Sequence, residues 1–267
     1  MPDTTTSTSA DRSLSILIHG ASKAGKTTLA VTAPAPRLLC DVEAASRFLD
    51  VKRVYWDDPG KTPPPEYDGT WDTCIVRTRD WGTVEKVYQW LRSGKHPFKS
   101  LIIDSISELQ NRYIEDVAGR KQLTQAQWGD AYRAVGGLVR DIRDLTMHPT
   151  KPLECVAMTA MTKQIDGKFR PWCQGQLQSV LPYLMDAVGY LYVTHEEDEL
   201  TGQMTERRNL LTRGTDSFEA GERVGGAWPA VLTEPNISTM IDAIFGSDMP
   251  TKPTMAVKAL TESEDSL

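Results

Sequence analysis

The chain has 267 residues, of which 40% are hydrophobic and 25% charged, with a formal charge of −6. That length and composition suit one globular domain with tails, long enough to bury a sizeable core. The negative balance excludes a global field that attracts nucleic acid, so any polynucleotide site must be a local patch.

In chain order, the opening "MPDTTTSTSADRS" is polar and Thr/Ser-rich. Residues 1–13 are expected to be disordered and, being polar, are not expected to act as a signal peptide. "LSILIH" (14–19) is a short continuous strand ending at a glycine loop, and "TTLAV" begins a helix after it. "RLLCDVE" (37–43), "CIVRT" (74–78), "SLIIDS" (100–105) and "LECVAMT" (153–159) are further strands. Apolar runs without alternation are strands buried on both faces, as in a parallel sheet. The Pro/Gly-rich "PGKTPPPEYDGTWD" (59–72) is a surface loop, read as a flexible insertion or else as a substrate lid. Trp81, Val84, Val87, Tyr88 and Leu91 make one helical stripe. Trp128, Ala131, Val135, Leu138, Ile142 and Leu145 make another. After Gly189, "YLYVTHEEDELTGQMTERRNLLTR" reads as a hairpin with an acidic turn at 199–202. A last helix, 237–245, buries Ile237, Met240, Ile241 and Ile244. From Ser247 the prolines, small residues and acidic end predict a disordered tail over 247–267. The predicted fold is α/β: a mainly parallel twisted sheet with helices on both faces and a C-terminal β-hairpin, in one domain over 14–246.

The four cysteines, Cys40, Cys74, Cys155 and Cys173, are far apart and lack C-x-x-C spacing. That argues against a zinc site and a disulfide framework, and makes Cys40 and Cys155 buried small hydrophobes. No apolar run approaches the roughly 18 residues of a membrane span, so no membrane partner and a cytoplasmic location are expected.

"GASKAGKTT" completes the pattern G-x-x-x-x-G-K-[ST] at Gly20, Gly25, Lys26 and Thr27. Gly20, Ala21, Ser22, Lys23, Ala24, Gly25, Lys26, Thr27 and Thr28 are therefore the expected cradle for ATP. Backbone N–H groups of 22–27 wrap the β-phosphate, and the helix N-terminus adds a positive dipole end. Lys26 reaches the β- and γ-phosphates, and the Thr27 hydroxyl ligates Mg²⁺. The alternative is a plain glycine-rich strand–helix turn. Asp104 closes the apolar run 101–104 and is the expected second metal-side group, on a strand beside the P-loop. Its alternative is a helix cap, with Asp104 or Ser105 capping a helix that starts near Ile106. Many ring ATPases place a glutamate after this Asp, but here the residue is Ser105. The general base is then elsewhere or absent. Glu43 follows the second strand, which is expected next to the P-loop strand, and from there it would polarise the attacking water. A solvated loop carboxylate is the other reading of Glu43.

The segments "GASKAGKTTLA", "LLCDVEAASRFLD" and "LIIDSISEL" together resemble the ATPase core of the RecA superfamily. In that family an acidic–x–Glu segment follows the second strand and its Glu activates water; Glu43 occupies that place. The family's metal-side strand likewise ends Asp-Ser, like Asp104-Ser105. The compact size and the ending around "EAGERVGG" are similar to the short phage RecA-like nucleotide-binding proteins, AAA-type ATPases and single-strand annealing recombinases. The likeness covers about 14–231. It implies Arg223 as a catalytic residue reaching a neighbouring subunit's γ-phosphate, with Arg213 as the other candidate. The family's γ-phosphate-sensing Gln has no clear counterpart; Thr159, Thr162 and Gln164 are the nearest. The polymerisation helix is missing, so a filament is not assumed; self-association into a ring or filament is expected.

"TKQIDGKFRPWCQGQ" (162–176) carries Lys163, Lys168 and Arg170 against one acid, Asp166, with Phe169 and Trp172 interleaved. Basic residues contact phosphates and aromatics stack on unpaired bases. The alternative is a solvated turn at Asp166-Gly167 with both aromatics folded inward. The resemblance implies a single-stranded DNA loop at this place. The expected function is a Mg²⁺-ATPase acting on single-stranded DNA in phage recombination or replication, in a host bacterial cytoplasm. A helicase or loader motor, a small-molecule kinase with 59–72 as lid, and a non-hydrolysing scaffold are the rivals. The acidic end "ESEDSL" reads as a solubilising tail, or as a DNA mimic or partner-binding tail. A single-strand-binding protein is a further expected partner.

Overall fold

The computed structural model describes residues 12–197 and 204–246. The tails expected over 1–13 and 247–267, Arg12 and Ser13 apart, and the acidic turn at 199–202 lie outside the described residues. In chain order the strands are β1 (Leu14–Gly20), β2 (Arg37–Asp41), β3 (Arg53–Tyr55), β4 (Thr73–Arg77), β5 (Ser100–Asp104), β6 (Cys155–Ile165), β7 (Lys168–Trp172), β8 (Ala187–Glu197), β9 (Met204–Leu211), β10 (Gly221–Glu222) and β11 (Val231–Thr233). The helices are α1 (Lys26–Ala30), α2 (Trp81–Arg92), α3 (Ile106–Ala118), α4 (Gln125–Asp144), α5 (Leu177–Leu184) and α6 (Ile237–Phe245).

The sheet runs β11-β9-β8-β1-β6-β5-β2-β4-β3, with β10 added to β8 and β7 to β6. From β8 to β3 all neighbours are parallel, so the C-terminal ends of these strands share one edge. The β8–β9 and β6–β7 pairs are antiparallel and extend beyond that edge. The apolar runs still alternate between two cores. Leu14, Ile16 and Ile18 of β1 pack with Leu29 of α1 and Met240 of α6 on one face. Leu17 packs toward Val84, Leu109 and Val135 of α2, α3 and α4 on the other. Each fully buried Leu or Ile contributes roughly 1.5–3 kcal/mol, which makes β1 the apolar spine of the domain. All four cysteines are buried and free. Among the described residues no helix is long and apolar enough to cross a membrane.

Asp104 meets the P-loop threonine although β6 separates its strand from β1. One expectation about strand order is corrected: the second strand, β2, pairs with β5 and β4, so it is not next to β1. The segment 59–72 is not a lid over the P-loop. It joins β3 and β4 at the far edge of the sheet, and indoles pin it there. Trp90 Nε1 donates to the Pro59 carbonyl at 2.8 Å, and Trp71 Nε1 to that of Glu66 at 3.2 Å.

His19 is fully buried at the upper end of β1. Its Nε2–H donates to the Glu219 carbonyl at 2.6 Å, and its Nδ1 is hydrogen-bonded to the Thr162 hydroxyl at 3.0 Å, a donor that satisfies Nδ1 when the ring is neutral. Burial is the main cause that lowers its pKa to about 4; the Glu219 bond opposes it and the Lys26 charge assists it. Between pH 6.5 and 4 the unfolded chain therefore binds more protons than the folded one. The contribution of neutral His19 is complete above pH 6.5 and is lost as pH falls toward 4, roughly 3 kcal/mol in full. His96, lowered mainly by burial to about 4, acts in the same direction. Urea unfolding of His19→Gln should therefore show about half the wild-type loss of stability between about pH 6.5 and pH 5, His96 supplying the remainder. An unchanged slope would mean that His19 is not buried neutral.

Candidate functional site

Gly20–Thr28 wraps the C-terminal end of β1 and turns into α1. Two glycines are dictated by close approach. A Cβ on Gly20 would stand 2.1 Å from the Leu191 carbonyl oxygen of β8. Gly25 has φ 94°, a left-handed value, and a Cβ there would lie 2.7 Å from Arg208 Nε. Helix α1 has only five residues, so its dipole adds less than the sequence suggested, and the amides and cations of the loop dominate. Lys26 Nζ donates to the carbonyls of Gly20 and Ala21 at 3.0 and 2.9 Å, at the inner side of the loop. Burial lowers the Lys26 pKa, and the Glu43 and Asp104 carboxylates oppose that.

Asp104 is 2% exposed, and burial raises its pKa. Thr27 Oγ1 donates to its Oδ2 at 2.8 Å, across the intervening strand β6, while Thr159 of β6 donates to Oδ1. Thr159 is thereby turned to Asp104, Thr162 to His19, and Gln164 lies out on the β6–β7 hairpin. The helix cap falls to Ser105, whose hydroxyl accepts from Glu108 N at 3.3 Å; the Asp104–Ser105 peptide is cis. The same hydroxyl donates to Glu43 Oε1. The amides of Val42 and Glu43 donate to the Asp104 carbonyl at 2.8 and 3.2 Å. Glu43 thus reaches the site from β2 through Asp104 and Ser105, not from a strand adjoining β1.

A loop of backbone amides and a lysine, a threonine hydroxyl on a buried carboxylate, and a second carboxylate beside them form one constellation. The family model described as "AAA domain" matches residues 12–224. The chain belongs to that family. No curated protein matches the sequence. An AAA-type P-loop NTPase is built around a nucleotide, and the residues here fit one. Besides Lys26, the loop has a second cation beside it in Arg208, whose Nε is buried without a hydrogen-bond partner. Among the described residues no group of three or more His, Cys, Asp or Glu forms a metal cage. P-loop sites hold magnesium by one or two protein groups plus phosphate oxygens. Thr27 and Asp104 are the groups in place to hold it.

The remaining candidate residues fall in two other places. Lys163–Trp172 is a hairpin with its turn at Asp166-Gly167, both at positive φ. Phe169 stacks on Phe218 at 5.3 Å and nears Tyr190 at 6.3 Å, so the structure places it inside an aromatic cluster. Arg170 lies 3.9 Å from Glu219, and Lys163 sits over the half-buried Trp172 ring at 5.6 Å. Lys168 stands next to the tip. Arg223 is at the opposite edge of the sheet: its N–H donates to the Asp186 carbonyl at 2.9 Å and its guanidinium to that of Tyr183 at 2.6 Å. Asp186 is level with Ser15, so roughly five strand residues, about 16 Å, separate Arg223 from its own P-loop. Arg208 was not picked out in the sequence. In "TERRNLL" alternation separates Arg207 from Arg208, but only the β8–β1 pairing tells which of them meets Gly25.

Gly20→Ala should lower the stability of this AAA domain by about 3 kcal/mol or more, because the added carbon meets backbone rather than a movable side chain. Chemical denaturation checks this, and a loss under about 1 kcal/mol would show that β8 can yield.

Proposed function

We propose that the chain is a magnesium-dependent ATPase of the RecA-like kind, acting on single-stranded DNA in phage recombination or replication by annealing or strand exchange. One observation carries the reading: the nucleotide site is hydrogen-bonded to the basic hairpin. Ser107, two residues after Ser105, accepts from Met161 N at 3.0 Å and donates to the Trp172 carbonyl at 2.6 Å. Gln110 of the same helix exchanges bonds with Gln174 at 2.9 and 2.6 Å. The α3 segment that begins at the Asp104–Ser105 corner is thus stapled to the base of β6–β7. A shift at one end is transmitted to the other through short polar contacts.

Bound magnesium supplies charge neutralisation at the β- and γ-phosphate oxygens. Of the chain's own groups, the loop amides orient the phosphates and Lys26 places a charge where negative charge builds up. Glu43 takes the proton of the attacking water, with Ser105 fixing its carboxylate. Arg223, remote from its own loop, serves a neighbouring subunit in a ring or filament, and Arg208 stays with its own. The hairpin, with Lys163, Lys168, Arg170 and Trp172 at or near its surface, contacts the strand; Phe169 supports it from within. A single-strand-binding protein is a natural partner, and the host cytoplasm the setting.

ATP turnover with and without single-stranded DNA tests the reading. Stimulation supports it; turnover that requires a small acceptor would make the chain a kinase, and none at all a scaffold. Lys26→Ala should abolish turnover with the fold intact by circular dichroism. Glu43→Gln should still bind ATP while kcat falls about 100-fold or more. Unchanged turnover would return Glu43 to a plain loop carboxylate.

Mixing variants examines the shared site. Arg223→Ala alone and Lys26→Ala alone should each lack DNA-stimulated turnover. Co-assembled mixtures should regain part of it, because some interfaces then pair an intact Lys26 with an intact Arg223. No recovery in mixtures shown to co-assemble would remove Arg223 from the shared site.

A further inference from the structure

Three arginines gather at the C-terminal ends of β2 and β4. Arg47, Arg77 and Arg79 line a cleft of about 480 Å³, together with Tyr55 and Arg112 of α3. Arg112 is held by Glu108 and Glu115 at 3.1 and 3.2 Å. The other three are exposed, and among the described residues no carboxylate lies within ion-pair distance of them. The one acid in the wall, Asp41, is buried and turned inward. It accepts from Ala45 N at 3.0 Å, Ser46 N at 3.2 Å and Ser46 Oγ at 2.5 Å. Arg53 donates to the Ser46 carbonyl at 3.0 Å and to that of Leu49, fixing the same turn from the other side.

That turn presents an aromatic platform. Phe48 is 80% exposed, with the Arg47 guanidinium 4.7 Å from its ring centre. The Arg77 guanidinium lies 4.3 Å from the Tyr55 ring. In a chain of charge −6, three neighbouring guanidiniums without acids repel one another until an anion joins them. An exposed Phe48 and a half-buried Tyr55, each paired with an arginine, suit an anion that also carries flat bases. The cleft opens on the same sheet edge as the β6–β7 hairpin. β4 and β6 are three strand spacings apart, roughly 14 Å, so one continuous strand can reach both.

We infer that this cleft binds the phosphodiester backbone of single-stranded nucleic acid, with a base stacked on Phe48 and Arg47. The inference rests on the reading of the chain as an ATPase that acts on single strands, and adds a second contact beside the hairpin. It also connects the strand to hydrolysis. The Asp41-held turn runs straight into Val42 and Glu43, which are tied to the Asp104 carbonyl. A strand seated in the cleft therefore bears on the segment that carries Glu43.

Fluorescence anisotropy of a labelled oligo-dT over a salt series, on the full chain, tests the cleft. The variants are Arg77→Ala/Arg79→Ala, Phe48→Ala and a hairpin pair, Lys163→Ala/Lys168→Ala, each checked by thermal unfolding. The arginine pair should weaken binding roughly 25-fold near 0.1 M salt and flatten the salt slope by about 1.4, or about 0.7 per lost contact. Phe48→Ala should weaken it about tenfold with the slope unchanged. Arg47→Ala, at an exposed side chain, repeats the measurement if the arginine pair unfolds. If the arginine variants bind like wild type while the hairpin pair loses affinity, the cleft is overturned and the single-strand reading stands. If the wild-type chain binds ATP but no oligonucleotide, the single-strand reading falls and takes the cleft with it. If the arginine pair weakens duplex and single strand equally and Phe48→Ala changes nothing, base stacking is overturned.

Discussion

The architecture depends on one carboxylate buried at the end of β5. Asp104 stands where burial opposes its charge, and it is kept there by hydroxyls from two directions, Thr27 of the P-loop and Thr159 of β6. Its backbone carbonyl holds the Val42–Glu43 segment, and the next residue, Ser105, both caps α3 and bonds Glu43. Three chain segments far apart in sequence therefore converge on two residues. A buried carboxylate with incomplete neutralisation is poised for a cation, and the P-loop beside it is poised for the phosphates that bring one.

That convergence gives the site its reach. Helix α3 starts at the carboxylate and, one turn on, bonds the hairpin through Ser107 and Gln110. On the other side, the Asp41-held turn after β2 leads from Glu43 to Arg47 and the arginine cleft. Both routes use short hydrogen bonds between rigid elements. The hairpin and the cleft are thus within one or two contacts of the groups around the P-loop. His19 adds a third tie. It joins the last turn of β1 to Thr162 and to the Glu219 backbone, beneath the aromatic cluster that supports Phe169.

Charge is distributed in the same spirit. The chain is acidic overall, yet seven of its cations lie along one edge of the sheet: Lys26 and Arg208 at the loop, Lys163 and Lys168 on the hairpin, Arg47, Arg77 and Arg79 at the far end. Net charge hides such an edge, because it sums over faces that never meet the same partner.

The sequence by itself determined the elements whose physics is local. Continuous apolar runs gave β1, β2, β4, β5 and β6, helical stripes gave α2 and α4, and the pattern at Gly20–Thr27 gave the phosphate loop. The hairpin of β8 and β9 and the helix at Ile237–Phe245 were legible for the same reason: their periodicities are short-range. The very short strands β3, β10 and β11 and helix α5 carry too few residues to show a period. What only the tertiary structure decided was which strand lies beside which. A crossover can lay a parallel strand on either side of its predecessor with the same residues, so β6 between β1 and β5 could not be read from spacing. From that order follow the roles the sequence could not assign. Arg208 faces Gly25 because β8 adjoins β1, Arg223 is carried to the opposite edge, and Glu43 meets Ser105 because β2 adjoins β5. The arginines of 47, 77 and 79 become one site for the same reason: only the pairing of β2 with β4 brings thirty residues of separation down to a single cleft.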